Sequence, residues 1–186
     1  EESIREVFNC KYYLPVHQGR AAENIISKVF IKPGDVVPMN YHFTTTKAHI
    51  EINGGSILEI YTDEALKVKS SHPFRGNLDV GKLKDLIKKY GASKVAYIRL
   101  EASTNLIGGQ PFSIANMREV RKVTQQHGLM IVLDASLIGE NAYFIKEREA
   151  EFKNKSIKQI LHEMISLVDL TYFSSRKVSS TRGGGI

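Results

Sequence analysis

The sequence predicts an α/β protein in which a mostly parallel sheet lies between layers of helices. Two observations carry this. Val36–Met39, Leu129–Leu133 and Leu167–Phe173 are largely apolar without strict alternation, the pattern of strands covered on both faces. Between them lie segments with apolar residues at helical spacing, long enough for the crossovers that parallel strands require.

Taken in order, Glu1–Asn9 places Ile4, Val7 and Phe8 at helical spacing. Lys11–Val16 reads as a short strand, His17–Gly19 as a turn, and Arg20–Phe30 as a helix through Ala22, Ile25, Ile26 and Val29. A strand, a glycine turn and a helix start aim free N–H groups and the positive end of a helix dipole at one spot, which favours a phosphate. The plainer reading is a strand-to-helix connection. Pro33 and Gly34 mark a turn, Val36–Met39 a buried strand, and Tyr41–Thr46 a polar and aromatic stretch open to a site or a strand. Asn53–Gly55 turns the chain, Ser56–Tyr61 reads as a strand, and Thr62–Asn77 is irregular because Pro73 and Gly76 break any helix. Leu78–Tyr90 is a helix with Asp79 as cap and Gly91 as stop. Lys94–Leu100 is a strand, Ser113–His127 a helix ended by Gly128, and Leu129–Leu133 a strand ending at Asp134. Helices over Gly139–Glu149 and Ser156–Leu167 precede a last strand, Asp169–Phe173.

The 186 residues, 42% hydrophobic and 25% charged, suit a single soluble domain with a sizeable core. A formal charge of +6 raises the question of nucleic acid, but the basic residues are scattered among acidic ones rather than gathered in a stripe. No apolar run approaches a membrane span and no secretory leader opens the chain, so a cytoplasmic protein is the default reading. Cys10 alone makes no intrachain disulfide, and His17, His42 and His49 show no metal-ligand spacing. Gly183–Ile186 reads as the entry to another strand, which points to a piece of a longer protein.

In an open parallel sheet, ligands sit outside the carboxyl ends of the strands. Here the strand ends lead into Ser103, Thr104 and Asn105, into Asp134, and into Ser174, Ser175, Arg176 and Lys177. An amide, a carboxylate and a lysine at adjoining strand ends fit pyridoxal 5'-phosphate: the lysine forms a Schiff base, the aspartate holds the pyridine nitrogen, and a helix terminus holds the phosphate. Arg176 beside Lys177 disfavours the ammonium form and attracts the phosphate. Each residue also has a plainer reading. Asp134 suits a helix cap or an arginine partner, Phe43 a core position, and Asn105 a turn before Gly108 and Gly109.

The segments LPVHQGRAAENI, HFTTTKAHIEINGG, NLIGGQPFSIANMREV, LDASLIGENAYFIKERE and YFSSRKVSSTRGGG resemble, in order and spacing, the β-eliminating aromatic amino-acid lyases, the family of tyrosine phenol-lyase and tryptophanase. FTTT, NLIGGQP and NKSIKQILHEM are more similar to the tyrosine-cleaving branch. The resemblance covers nearly the whole chain. It implies the large domain of a fold-type I pyridoxal-phosphate enzyme, without the small C-terminal domain and N-terminal arm, and a homodimer or homotetramer of the full-length protein. It implies that Gln18, Gly19 and Arg20 bind the cofactor phosphate with Ser174 and Arg176. Phe43 stacks on the ring, Asn105 meets its 3-oxygen, Asp134 holds its nitrogen, Thr44 helps place the aromatic hydroxyl of a substrate, and Lys177 forms the aldimine and moves the Cα proton. The implied reaction is α,β-elimination of an aromatic amino acid to pyruvate and ammonium.

The chain departs from the family at Leu137, where the lyases carry an arginine. It departs again at Val178 and Arg182, near the family's monovalent-cation site, so a potassium requirement is open and the Arg182 guanidinium is a candidate to fill that space. These departures leave two other readings open: a related enzyme with another Cα reaction, such as transamination, and a catalytically silent homologue that binds cofactor or amino acid.

Overall fold

The computed structural model describes residues 2–178 and 182–186. Residues 179–181 of the last motif and Glu1 of the first helix lie outside the described residues.

A five-stranded parallel sheet runs through the molecule in the order β2-β1-β3-β4-β5. Its strands are β1 (Val36–Met39), β2 (Ser56–Glu59), β3 (Ile98–Glu101), β4 (Ile131–Asp134) and β5 (Leu170–Tyr172). Chain order reverses between β1 and β3, so their carboxyl ends diverge into a crevice, the position where such sheets bind ligands. Pro38 has no N–H to donate, and it falls between the two points where β1 meets β3, Val36 with Val95 and Met39 with Arg99. The ladder beside the crevice is therefore thin.

The helices divide between the two faces. They are α1 (Glu2–Phe8), α2 (Gly19–Phe30), α3 (Thr44–Ile52), α4 (Val80–Tyr90), α5 (Ile114–His127), α6 (Ile138–Arg148), α7 (Ile157–Ser166) and the single turn α8 (Ser175–Val178). Ile98, Leu100, Ile131 and Leu133 point to one face and pack with Leu83, Met117, Val120, Ile145 and Met164 of α4 to α7. Val37, Met39, Tyr97 and Val132 point to the other, against Ala22 and Ile26 of α2 and Ile50 of α3. Side chains alternate along a strand, so unalternated apolar sequence fills both cores. Asp79 and Ser113 cap α4 and α5 by accepting from Lys82 N and Asn116 N, Ser156 and Gln159 form a capping box on α7, and Gly128 ends α5 in the left-handed region.

Three expectations are corrected. Lys11–Val16 is not a strand: Val16 alone bridges Gly185, and Tyr12 and Leu14 stand exposed with no neighbouring strand to pair with. Thr44–Thr46, open to a strand reading, begins α3, where Thr46 faces inward and Thr44 faces out. The strand expected over Lys94–Leu100 is shifted. A 3-10 turn occupies Ala92–Lys94 and β3 extends to Glu101, carrying a carboxylate one residue further into the sheet than the apolar run indicates. Among the described residues, no helix is long and apolar enough to cross a membrane.

Candidate active site

Phe43, Asn105, Asp134 and Lys177 line one small cavity at the carboxyl ends of β1, β3, β4 and β5, together with Glu101, Ala102, Ser136 and Leu137. Each arrives by a different local device. Phe43 is the residue before α3, held extended (φ −113°) as the chain turns from the end of β1 into the helix. Asn105 opens a 3-10 turn closed by Gly108 in the left-handed region, and its backbone N–H donates to Glu101 Oε1 at 2.9 Å. Asp134 is the last residue of β4. Lys177 sits five residues beyond β5 on α8, which folds back over the sheet end and sets Nζ 5.0 Å from the centre of the Phe43 ring.

The loops are fixed from beneath by buried amides. Asn40, just after β1, donates through Nδ2 to Gly76 O, Glu101 O and Thr104 Oγ1 and accepts from Glu101 N, tying the ends of β1 and β3 together. Asn141 on α6 accepts from Ser103 N and Phe112 N and donates to Phe112 O. Between these ties Ser103 adopts a positive φ of 50°, a strained conformation for a residue with a side chain, beside the Asn105 turn.

A second cluster of predicted residues forms where α2 begins. Gln18 precedes the helix without a side-chain cap, leaving the first turn's N–H groups without that partner. The glycine segment near the end of the chain weaves through this place: Gly185 bridges Val16 and Ser174, and Gly184 bridges Gln18. The approach is close enough to require glycine, because a Cβ on Gly185 would lie 2.7 Å from Gln18 C and Gly19 N, and one on Gly19 would lie 3.1 Å from Ser174 Cβ. Ser174 N donates to Ser136 Oγ at 3.2 Å, linking this turn to the loop after Asp134. The fold therefore brings Gln18, Gly19 and Ser174 together. Arg20, Arg176 and Thr44 are exposed and do not line the cavity; Gln18 and Lys177 are exposed as well, and of these five only Lys177 lines it.

Beneath the cavity lies a charged network. Arg99, fully buried on β3, contacts Asp134 Oδ2 at 2.7 Å through Nη2 and Glu101 Oε2 at 2.9 Å through Nη1, and donates to Tyr172 Oη at 3.0 Å and Tyr41 O at 3.2 Å. Asp134 Oδ2 also accepts from Tyr172 Oη at 3.1 Å, and Oδ1 from Ser136 N at 3.0 Å. On the far side of Tyr172, the Glu23 carboxylate of α2 accepts from Thr45 and Thr46. Burial works against the Arg99 charge, but Tyr172, Glu101 and Asp134 together hold its ionisation well above the ordinary arginine value. Burial pushes the Glu101 carboxyl up, Arg99 opposes this, and Asp134 adds to it.

Of its plainer sequence readings, Asp134 takes that of an arginine's partner, and it also lines the cavity. Arg99, Glu101 and Tyr172 were not singled out from sequence. A signal existed. Tyr97, Arg99 and Glu101 alternate within an otherwise apolar run, and an arginine in a sheet covered on both faces must find a buried anion.

The family model for beta-eliminating lyases matches residues 1–186. The chain is 47% identical over 185 residues to tyrosine phenol-lyase of Symbiobacterium thermophilum and 50% identical to that of Pasteurella multocida, covering 100% of this chain and 40% of each relative. The sheet and its flanking helices superpose on a putative L-allo-threonine aldolase of Listeria monocytogenes with a TM-score of 0.72 at 17% identity, over 100% of this chain and 45% of that one. A threonine aldolase of Leishmania major gives 0.68 at 16% identity, over 98% and 48%. The architecture, a parallel sheet between helical layers, is the fold shared with these threonine aldolases. Within it, the chain belongs to the beta-eliminating lyase family, and it spans about 40% of the length of the tyrosine phenol-lyases it matches.

Proposed function

We propose that this chain is the cofactor-binding part of a pyridoxal-phosphate-dependent carbon-carbon lyase that carries out α,β-elimination on an aromatic amino acid, as a tyrosine phenol-lyase does. The observation that carries the reading is the placement of the Lys177 amine over the Phe43 ring in a cavity shared with Asn105 and Asp134. When bound, the cofactor supplies a carbon that an amine can attack and a ring that takes up electrons as a Cα bond of the amino acid breaks.

The residues present fit that group. Phe43 offers an apolar face for a flat ring, Asp134 an anchored carboxylate for its nitrogen, and Asn105 an amide for a ring oxygen. Gln18, Gly19 and Ser174 would form the turn for the phosphate, where free N–H groups and a helix dipole favour an anion, with the exposed Arg20 and Arg176 as further candidates to meet it. Lys177 would hold the cofactor through Nζ, and the same atom would accept the Cα proton of the amino acid. The exposed Thr44 is the candidate contact for the substrate's hydroxyl.

A second reading, another Cα reaction in the same cavity, is favoured by Leu137, which places an apolar side chain on the cavity wall. The full-length protein is expected to assemble at least as a homodimer. Activity in potassium against sodium tests the place proposed for Arg182: a steep preference for potassium contradicts its substitution for the ion. The central test is visible absorbance. Full-length protein given pyridoxal 5'-phosphate is expected to turn yellow and Lys177→Ala to stay colourless, whereas a wild type that takes up no cofactor contradicts the proposal. With colour established, phenol release from tyrosine separates the first reading from the second.

A further inference from the structure

Glu101 is the buried acid for which the lyase reading supplies no role. It is 4% exposed, lines the cavity with Lys177 and Asp134, and ends β3 directly opposite Asp134 at the end of β4. The two carboxyls therefore lie side by side on one face of the sheet, and like charges so placed repel. Arg99 stands between them, within 2.9 Å of Glu101 Oε2 and 2.7 Å of Asp134 Oδ2. The other groups around them are the Tyr172 phenol on β5, the Glu23 carboxylate on α2, the Asn105 N–H after β3 and the Lys177 amine on α8.

The charge balance is uneven. One buried guanidinium faces three buried carboxyls, Glu101, Asp134 and Glu23, while the Lys177 amine, the other cation lining the cavity, belongs to an exposed residue. Glu101 Oε1 accepts from Asn105 N, but Oε2, although an ion-pair contact of Arg99, accepts no hydrogen bond. Burying a second, poorly satisfied carboxylate beside the first is costly, and a proton on the pair removes the cost.

We propose that Glu101 holds a proton beside the Asp134 carboxylate at the ring-nitrogen end of the cavity, and that entry of the cofactor's cationic ring drives that proton off. The inference rests on the cofactor reading above and deepens it: the ring nitrogen meets a pair of carboxyls held by Arg99 rather than Asp134 alone. With the cavity empty, the pair carries one negative charge against Arg99. A pyridinium adds a positive charge beside it, the second carboxylate becomes affordable, and the proton leaves to solvent. Cofactor affinity therefore rises with pH as long as Glu101 in the empty cavity is still protonated.

The test is calorimetric titration of full-length protein with pyridoxal 5'-phosphate in buffers of different ionisation enthalpy, for wild type and Glu101→Gln. The phosphate and Lys177 contribute protons equally to both, so the difference isolates the pair. Wild type is expected to release up to about one more proton per site than the variant. Equal proton counts with cofactor binding intact overturn the inference and leave the lyase reading standing. Absence of any binding heat in wild type contradicts the cofactor reading and this inference with it. If Glu101→Gln does not fold, carbon NMR of wild type decides. A Glu101 carboxyl titrating above the ordinary ~4.3 when empty and lower when loaded supports the pair, and ordinary titration in both states overturns it.

Discussion

Arg99 is where the energetics of the site concentrate. A charge this deeply buried persists only because Asp134, Glu101 and Tyr172 surround it, so removing it strands two carboxyls in a dry interior. Arg99→Met is expected to destabilise the protein by about 3–5 kcal/mol, measured by chemical denaturation, because breaking one side of a buried ion-pair network leaves the other side uncompensated. A loss no larger than a surface substitution would show that water reaches the network. Glu101 also carries a pH dependence whose sign follows from its raised ionisation. The folded protein holds the Glu101 proton to higher pH than the unfolded chain does, so its contribution to stability is present at low pH. That contribution is lost as pH rises from the ordinary carboxyl range through the raised folded value. Glu101→Gln is expected to flatten that part of the stability profile, and an unchanged profile counts against a protonated Glu101.

At the scale of elements, the site depends on junctions more than on strands or helices. Asn40 makes four hydrogen bonds, one to Gly76 in the connection after β2, two to the backbone of Glu101 at the end of β3 and one to Thr104 beyond it. Asn40→Ala is expected to cost about 1–3 kcal/mol for each backbone group left unsatisfied, seen as a lower unfolding midpoint with β3's end loosened in hydrogen exchange. Gly185→Ala presses a methyl group onto the backbone of Gln18 and Gly19. Overpacking of this kind costs about 1–3 kcal/mol, and because it falls on the turn proposed for the phosphate, cofactor Kd is expected to rise by about tenfold. An unchanged Kd would place the phosphate elsewhere. The helices were legible in the sequence where a cap and a stop bracketed an apolar face, as with Asp79 and Gly91 around α4 or Ser113 and Gly128 around α5. Helix α3 was not, because it opens with three threonines, residues equally at home in a strand, and its apolar face is short.

At the scale of the whole molecule, sequence periodicity was enough for the parallel sheet and its two helical layers, since unalternated strands can be buried only that way. It was also enough for the residues at strand ends, Asn105, Asp134 and Lys177, because the rule that ligands sit at carboxyl ends needs topology and not coordinates. What it lacked was lateral information. Nothing in a linear chain says that Gly185 threads between Gln18 and Ser174, or that Glu101 stands opposite Asp134, because both depend on which strands become neighbours and in what register. Contacts of that kind separate a lysine on a surface loop from a lysine over the cavity proposed for the cofactor.

The most direct measurement of that distinction is covalent. Full-length protein is incubated with pyridoxal 5'-phosphate, reduced with borohydride and digested, and the modified peptide is read by mass spectrometry. The label is expected on Lys177 alone, with wild type losing its visible absorbance on reduction and Lys177→Ala taking up none. Label spread over surface lysines, or an unlabelled Lys177 in a protein that nonetheless binds the cofactor, would contradict the assignment of Lys177 as the residue that holds it.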